Sequence, residues 1–127
     1  MSGKLHHISV TCRDIEKSRG FYSLLGFISQ KKYEDGQCTI LWLGGMAGII
    51  ELFNFKTIAP EYCRPKKVTT TGITHIALMT TDLAAIRQCL EQHGYACEQN
   101  RTARIGAFDY FFTADPDGNL VEIIEEH

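Results

Sequence analysis

The chain carries the stretch HIALMTTDL at positions 75–83, and almost the same pattern stands earlier as HISVTCRDI at positions 7–15. An offset of 68 residues aligns the two histidines, the two aspartates, Gly26 with Gly94, and Phe27 with Tyr95. A period that holds over one helix and its flanking strands indicates one supersecondary unit used twice. We therefore predict two tandem copies of a single unit.

The first copy predicts the element order βαβββ. Leu5 to Thr11 alternates as a strand that turns His7 away from Ile8. Asp14 can cap a helix that runs to Leu25, and Gly26 can end it in a left-handed conformation. Three further strands are predicted at 27–33, 38–43 and 47–55.

The second copy repeats this plan with strands at 73–79, 95–100, 107–114 and 119–125, and a helix between Asp82 and Gly94. Asp115-Pro116-Asp117-Gly118 has the residues of a tight turn. The fold class is α+β, with module 1 at about 4–55, a linker at about 56–71 and module 2 at about 72–127. At 127 residues the chain is expected to be a single domain, in which a shared core creates a cleft between the halves.

Composition narrows the class of protein. The formal net charge is −2 and the basic residues are scattered, which favours neither nucleic acid nor a membrane surface as partner. No signal-peptide or membrane-spanning run is visible, so we expect a cytoplasmic location. The five cysteines include no Cys-x-x-Cys pair, which predicts reduced thiols that serve as small apolar fillers.

Two carboxylates stand inside apolar runs near the ends of the copies. Glu51 lies in IIELF at 49–53 and Glu122 in LVEII at 120–124. An ionised carboxylate in such a strand is costly unless it is paired or bound to metal. If the copies pack as related units, both glutamates can converge with His7 and His75. Two imidazole nitrogens and two carboxylates suit a divalent ion. A six-coordinate ion would keep two coordination positions open for a chelating substrate.

Each of these four residues also has an ordinary interpretation. A lone strand histidine is usually just hydrogen-bonded, and a lone glutamate can face water from an edge strand. Only five of the 21 aligned pairs in 7–27 and 75–95 are identical, however, and the conserved pattern includes the histidine, for which no structural role is evident. Taken together, the four residues favour metal binding.

At these positions the sequence resembles the vicinal oxygen chelate superfamily, the group of glyoxalases, bleomycin-resistance proteins and dioxygenases. The resemblance runs from HHISV at 6–10 through FYSLLGF at 21–27 to DPDGNLVE at 115–122. It implies paired βαβββ modules that form a cup-shaped mixed-sheet domain, usually in a homodimer. The implied metal ligands are His7, Glu51, His75 and Glu122.

Within this group the two-His, two-Glu set is most similar to bacterial glyoxalase I, which isomerises the hemithioacetal of methylglyoxal and glutathione to a thioester. The resemblance implies one divalent ion per site (Ni²⁺, Co²⁺, Zn²⁺, Mn²⁺ or Fe²⁺), a metal-chelated enediolate, and a glutamate as base. Glu122 is the predicted base, with Glu51 as the alternative. The site can be built within one chain or across two.

One position departs from the glyoxalase I pattern. That family usually has an arginine four residues after the first histidine ligand, where this chain has Thr11. Arg101 and Arg104 are candidates to supply the missing charge for substrate binding, as are Arg64, Lys66 and Lys67, although all five can be ordinary surface residues. The chain is also similar to small glyoxalase-like proteins with an Ile-Glu-Leu-Phe run and unassigned substrates.

Other readings stay open. Epimerases of methylmalonyl thioesters use similar chemistry but usually carry Gln where this chain has Glu51. Fosfomycin thiol transferases and ring-cleaving dioxygenases typically use three protein ligands. Drug-binding modules of the bleomycin-resistance type generally lack the ligand set and do no chemistry. In each case a pocket could be lined by aromatic residues, namely Trp42, Phe53, Phe108, Tyr110 and Phe112.

Overall fold

Two copies of the βαβββ unit are present, as the repeat predicts. The computed structural model describes residues 1–46, 48–58 and 67–127. The chain divides into two compact units, residues 1–62 and 63–127, and each contains one mixed four-stranded sheet with one helix. The α+β class and the tandem organisation are therefore confirmed.

The first unit has the sheet order β1-β4-β3-β2. Its elements are β1 (His7–Thr11), α1 (Ile15–Leu24), β2 (Ile28–Glu34), β3 (Cys38–Gly45) and β4 (Gly48–Phe55). Strand β1 runs parallel to β4, and the other pairings are antiparallel. This order places the first and last strands of the unit side by side, so residues of β1 and β4 can share a site.

Helix α1 begins and ends where its sequence predicts. The Asp14 carboxylate accepts hydrogen bonds from the backbone N–H groups of Glu16 and Lys17, both at 3.1 Å. Gly26 follows the helix with a φ of 91°, a conformation that costs glycine little. The helix packs its completely buried Phe21 and Tyr22 against the sheet core, which fixes β1 beside β4.

The β2–β3 turn is held by a carboxylate. Asp35 accepts hydrogen bonds from the backbone N–H groups of Gln37 at 2.8 Å and Cys38 at 3.0 Å. These two bonds, with a third from the Tyr33 hydroxyl, lower the pKa of Asp35 below its usual value. The turn therefore helps to set the register in which Glu34 of β2 stands opposite Thr39 of β3.

The second unit has the equivalent order β5-β8-β7-β6. Its elements are β5 (His75–Met79), α2 (Leu83–Gln92), β6 (Arg101–Thr102), β7 (Phe108–Ala114) and β8 (Leu120–Glu126). Asp82 caps α2 by accepting the Ala85 N–H at 2.9 Å, and Gly94 follows with a φ of 86°. The β7–β8 turn is organised by Asp115, which accepts the N–H groups of Asp117 and Asn119.

The strand predicted at 95–100 is wrong. This segment makes only an isolated bridge between Cys97 and Thr113, and β6 is limited to two residues. The reason is Arg87 on α2, whose guanidinium donates to the carbonyl oxygens of Cys97 and Glu98 and to the side chain of Asn100. Carbonyl groups that accept from an arginine are diverted from a regular ladder, so the segment stays irregular.

Some residues named in the sequence predictions lie outside the described ranges. They are Ala47, at the start of the predicted fourth strand, and the linker residues Cys63, Arg64 and Lys66. The four described cysteines are free thiols, and Cys12 is buried. Neither ten-residue helix in the described ranges is long and apolar enough to cross a membrane.

Candidate functional site

His7 and Glu51 come together in the first unit. His7 pairs in register with Ile49 on the parallel strand β4, so Glu51 lies two residues further along on the same face. The imidazole Nε2 lies 3.4 Å from Glu51 Oε1. The Glu51 side chain is only 13% exposed and that of His7 is 35% exposed, so the carboxylate is the more enclosed member of the pair.

His75 and Glu122 form the equivalent pair in the second unit. His75 stands opposite Leu120 of β8, which again puts the glutamate two residues further along. Nε2 of His75 lies 3.0 Å from Glu122 Oε2, and the Glu122 side chain is 14% exposed. On the other side of the ring, Nδ1 lies 2.7 Å from the Thr74 hydroxyl, which can donate to or accept from either tautomer.

The residues beside the two glutamates differ between the units. Trp42 stands directly opposite Glu51 and donates its indole N–H to Glu51 Oε2 at 2.7 Å. The equivalent position opposite Glu122 is Phe112, whose ring meets the His75 ring edge-on with centroids 5.1 Å apart. Sequence reasoning treated Trp42 only as an aromatic pocket residue and missed this hydrogen bond; the cross-strand register is the signal that identifies it.

Each pair has the spacing of two ligands to one ion. Nitrogen and oxygen ligands lie about 2.1 Å from a first-row divalent ion, so two of them at a right angle are about 3 Å apart. The separations of 3.4 and 3.0 Å fit that value. The donor set of imidazole and carboxylate also suits such ions. Among the described residues, no group of three or more His, Cys, Asp or Glu side chains is arranged to hold a metal, and each unit contributes one such pair.

A cleft of about 630 Å³ opens beside the second pair. His75 and Glu122 line it together with Arg101, Arg104 and Lys67, all in the second unit. One wall is aromatic, because Phe108, Tyr110 and Phe112 also line it, with neighbouring ring centroids about 6 Å apart. The cleft thus combines a His–Glu pair, three basic side chains and an aromatic wall. Such a mixture of polar and apolar groups is common in small-molecule sites.

Other candidate residues lie elsewhere. Thr11 is exposed at the end of β1, on the face that also carries His7. Trp42 lies over His7 with centroids 6.0 Å apart, and Phe53 stacks on Phe55 at 5.4 Å. Trp42 and Phe53 belong to the first unit and do not line the 630 Å³ cleft.

Comparison with known proteins identifies the family of the chain. The family model of the glyoxalase, bleomycin resistance protein and dioxygenase superfamily matches residues 4–123. The chain belongs to this superfamily. One relative is the uncharacterized protein YaeR of Escherichia coli (strain K12). It is 33% identical over 97% of this chain and 96% of its own length.

Two further proteins are similar to this chain, one in sequence and one in fold. The protein named glyoxylase I 4 of Arabidopsis thaliana is 30% identical over 94% of this chain and 68% of its own length. The trypanothione-dependent glyoxalase I of Leishmania major has the same fold, with a TM-score of 0.71 and 21% identity over 98% of this chain and 88% of its own. One relative of this chain therefore carries a glyoxylase I name, and the Leishmania structure shows the shared fold.

Proposed function

We propose that this superfamily member is a divalent-metal-dependent lyase of the glyoxalase I type that isomerises a hemithioacetal of methylglyoxal and a thiol. The observation that carries the proposal is the pair of equivalent His–Glu half-sites, with Nε2-to-oxygen separations of 3.4 Å and 3.0 Å. The similarity to the Arabidopsis thaliana protein supports this choice of reaction within the superfamily.

The metal ligands in this proposal are His7, Glu51, His75 and Glu122. Two imidazoles and two carboxylates suit Ni²⁺, Co²⁺, Zn²⁺, Mn²⁺ or Fe²⁺, and the two negative charges balance the ion. When bound, such an ion acidifies the substrate proton next to the carbonyl and offsets negative charge on the substrate oxygens. The equal composition of the half-sites supports one ion held by both pairs.

The chain's own residues would carry out the proton transfer. Glu122 lines the cleft and has an enclosed carboxylate, so it is placed to take the proton from the carbon that bears the sulfur and return it to the neighbouring carbon. This transfer between the carbons, together with a shift of the hydroxyl proton from the oxygen of the first carbon to that of the second, converts the hemithioacetal into a thioester with no oxidant. The aromatic wall would exclude water from this step.

The basic residues of the cleft suit a thiol that carries carboxylates. Arg101 and Arg104 are exposed, and in the described parts of the chain neither makes an ion pair with an acidic side chain. Unpaired guanidinium groups in a cleft are well suited to bind carboxylates. They would supply the positive charge that Thr11 does not, which favours an acidic thiol such as glutathione.

The proposal is tested by metal content and turnover together. Protein stripped with a chelator is reloaded in turn with Ni²⁺, Co²⁺, Mn²⁺ and Zn²⁺, and thioester formation from methylglyoxal and glutathione is measured. We expect metal-dependent turnover in the wild type. His75→Ala and Glu122→Ala should each lose the ion and stay folded by circular dichroism, because each removes one ligand from a surface-accessible half-site.

Glu126→Ala is the matched control, since Glu126 lies on the same strand as Glu122 but is exposed. It should keep both metal and turnover. Stoichiometric metal in both His75→Ala and Glu122→Ala would refute the ligand set. Wild-type protein that holds one ion per site but never forms thioester would refute the reaction.

The aromatic wall favours a second candidate function, the binding of a flat small molecule without chemistry. Phe108, Tyr110 and Phe112 offer three rings on one side of the cleft. Binding of an aromatic drug to the metal-free protein, with no turnover of methylglyoxal or methylmalonyl thioesters under any metal, would support this candidate over the lyase.

A further inference from the structure

The repeat places different side chains opposite its two glutamates. In the first unit Trp42 is the cross-strand partner of Glu51, and in the second unit Phe112 is the cross-strand partner of Glu122. The two positions are equivalent in the sheets, yet only the first supplies a hydrogen-bond donor. Two half-sites that match in their ligands are therefore unequal in what supports those ligands.

We propose that Trp42 is a positioning residue that fixes Glu51 as a permanent metal ligand, leaving Glu122 as the carboxylate that moves to carry the proton. This inference rests on the proposed metal-dependent function and deepens it, because it assigns different roles to the two glutamates. It concerns a residue that binds neither the ion nor the substrate directly.

The two oxygens of Glu51 have separate partners, Trp42 for one and His7 for the other. Indole Nε1 can only donate, and it lies 2.7 Å from Oε2, while Oε1 faces His7 at 3.4 Å. A donor to an ionised carboxylate forms a stronger bond than a neutral pair does. Turning Glu51 away from the ion would break this bond and leave a half-buried N–H without an acceptor, which is costly.

The indole ring is itself held in place. His7 lies stacked against it with centroids 6.0 Å apart, and His6 meets it edge-on at 5.5 Å. The ammonium group of Lys31 lies 5.5 Å from the ring centroid. A donor whose ring is fixed in this way orients a ligand better than a freely rotating one.

Glu122 has no comparable restraint. In the described residues its only hydrogen-bond partner is His75 Nε2 at 3.0 Å, and the adjacent Phe112 ring has no polar hydrogen to offer. Movement of Glu122 therefore breaks no bond with a supporting residue. A carboxylate that serves as base must leave the ion during the reaction, so the less restrained glutamate is the better candidate.

The first experiment measures metal binding. Zn²⁺ is titrated by calorimetry into metal-free wild type and Trp42→Phe, a substitution that gives the first unit the residue type of the second. We expect at least about a tenfold loss of affinity in Trp42→Phe, the usual effect of removing a supporting group. Affinity within about twofold of wild type would overturn the inference while leaving the proposed function intact; no Zn²⁺ bound by wild type would overturn both.

A second readout uses fluorescence, because Trp42 is the chain's only tryptophan. In metal-free protein, Glu51→Ala removes the acceptor of the indole N–H and should shift its emission, whereas Glu122→Ala should not. An equal shift in both variants, or none in Glu51→Ala, would overturn the inference. This measurement leaves Trp42 unchanged, so it stands even where Trp42→Phe fails to fold.

A third readout separates positioning from proton transfer. At saturating Zn²⁺, Trp42→Phe and Glu51→Gln should recover turnover to within about tenfold of wild type, because excess ion compensates for weakened binding. Glu122→Gln should stay at least about a hundredfold lower, as expected for loss of a general base. The reverse order of Glu51→Gln and Glu122→Gln would overturn the assignment.

Discussion

At the scale of single residues, Arg101 and Arg104 provide the sharpest test of substrate class. Both are exposed in the cleft that holds His75 and Glu122. We predict that Arg101→Gln and Arg104→Gln each raise the KM for the glutathione hemithioacetal about five- to tenfold and leave kcat unchanged, because an ion pair to the substrate tail acts equally in the ground and transition states.

The control substrate is a hemithioacetal of 2-mercaptoethanol, which has no carboxylate, and its KM should not respond to either variant. Lys32→Gln is the control substitution, since Lys32 pairs with Glu34 and is not among the residues that line this cleft. Equal changes of KM for both substrates would contradict a role in binding the acidic tail.

The His–Glu pairs could be predicted from sequence, but the support around them could not. The repeat and the family resemblance single out His7, Glu51, His75 and Glu122, and the structure shows them in pairs on neighbouring strands. The hydrogen bond from Trp42 depends instead on the register across the β3–β4 hairpin. A shift by one residue would turn that indole to the opposite face, and the periodicity of a strand does not fix its register.

At the scale of elements, Arg87 on α2 supplies hydrogen bonds to the segment that the sequence predicts as a strand. Its guanidinium donates to two carbonyl oxygens and one side chain of the segment 97–100 and lies 4.5 Å from the Phe111 ring centroid. We predict that Arg87→Ala lowers the free energy of unfolding by about 2 kcal/mol, because it leaves the part-buried carbonyl group of Cys97 without this donor and removes a cation–π contact. Urea unfolding measures this change.

The repeat offers a matched control at the aligned position of the first unit. Arg19 there pairs with Glu16 one helical turn earlier, and the bond between them is exposed to solvent. Arg19→Ala should cost no more than about 0.5 kcal/mol, as is usual for an exposed ion pair. Equal destabilisation by both substitutions would show that Arg87 acts as an ordinary helix residue.

The helices could be predicted from sequence and the segment 95–100 could not, because they depend on interactions of different range. Capping aspartates and terminating glycines act locally, so both helices were found within one or two residues of their observed bounds. The segment 95–100 was misassigned because its carbonyl groups are bound by a side chain from α2. Such a contact depends on tertiary packing, which a local pattern does not contain.

At the scale of the whole molecule, the repeat predicts two sheets of the same order, and the structure has them. This success follows from the period itself, since a unit copied in sequence keeps its strand order. Each unit supplies one His–Glu pair. The four-ligand metal site that we propose therefore needs one first unit and one second unit, from the same chain or from two chains.

We predict a homodimer with twice the 14.3 kDa mass of the chain and two bound ions, measured by light scattering and metal analysis. Co-expression of Glu51→Ala with Glu122→Ala then distinguishes the two ways of building the sites. If each site joins units of different chains, mixed dimers regain one intact site and the sample recovers about a quarter of the wild-type metal. If each site lies within one chain, every site lacks a ligand and no metal returns. A monomer that holds one ion would contradict the dimer and require both half-sites to come from a single chain.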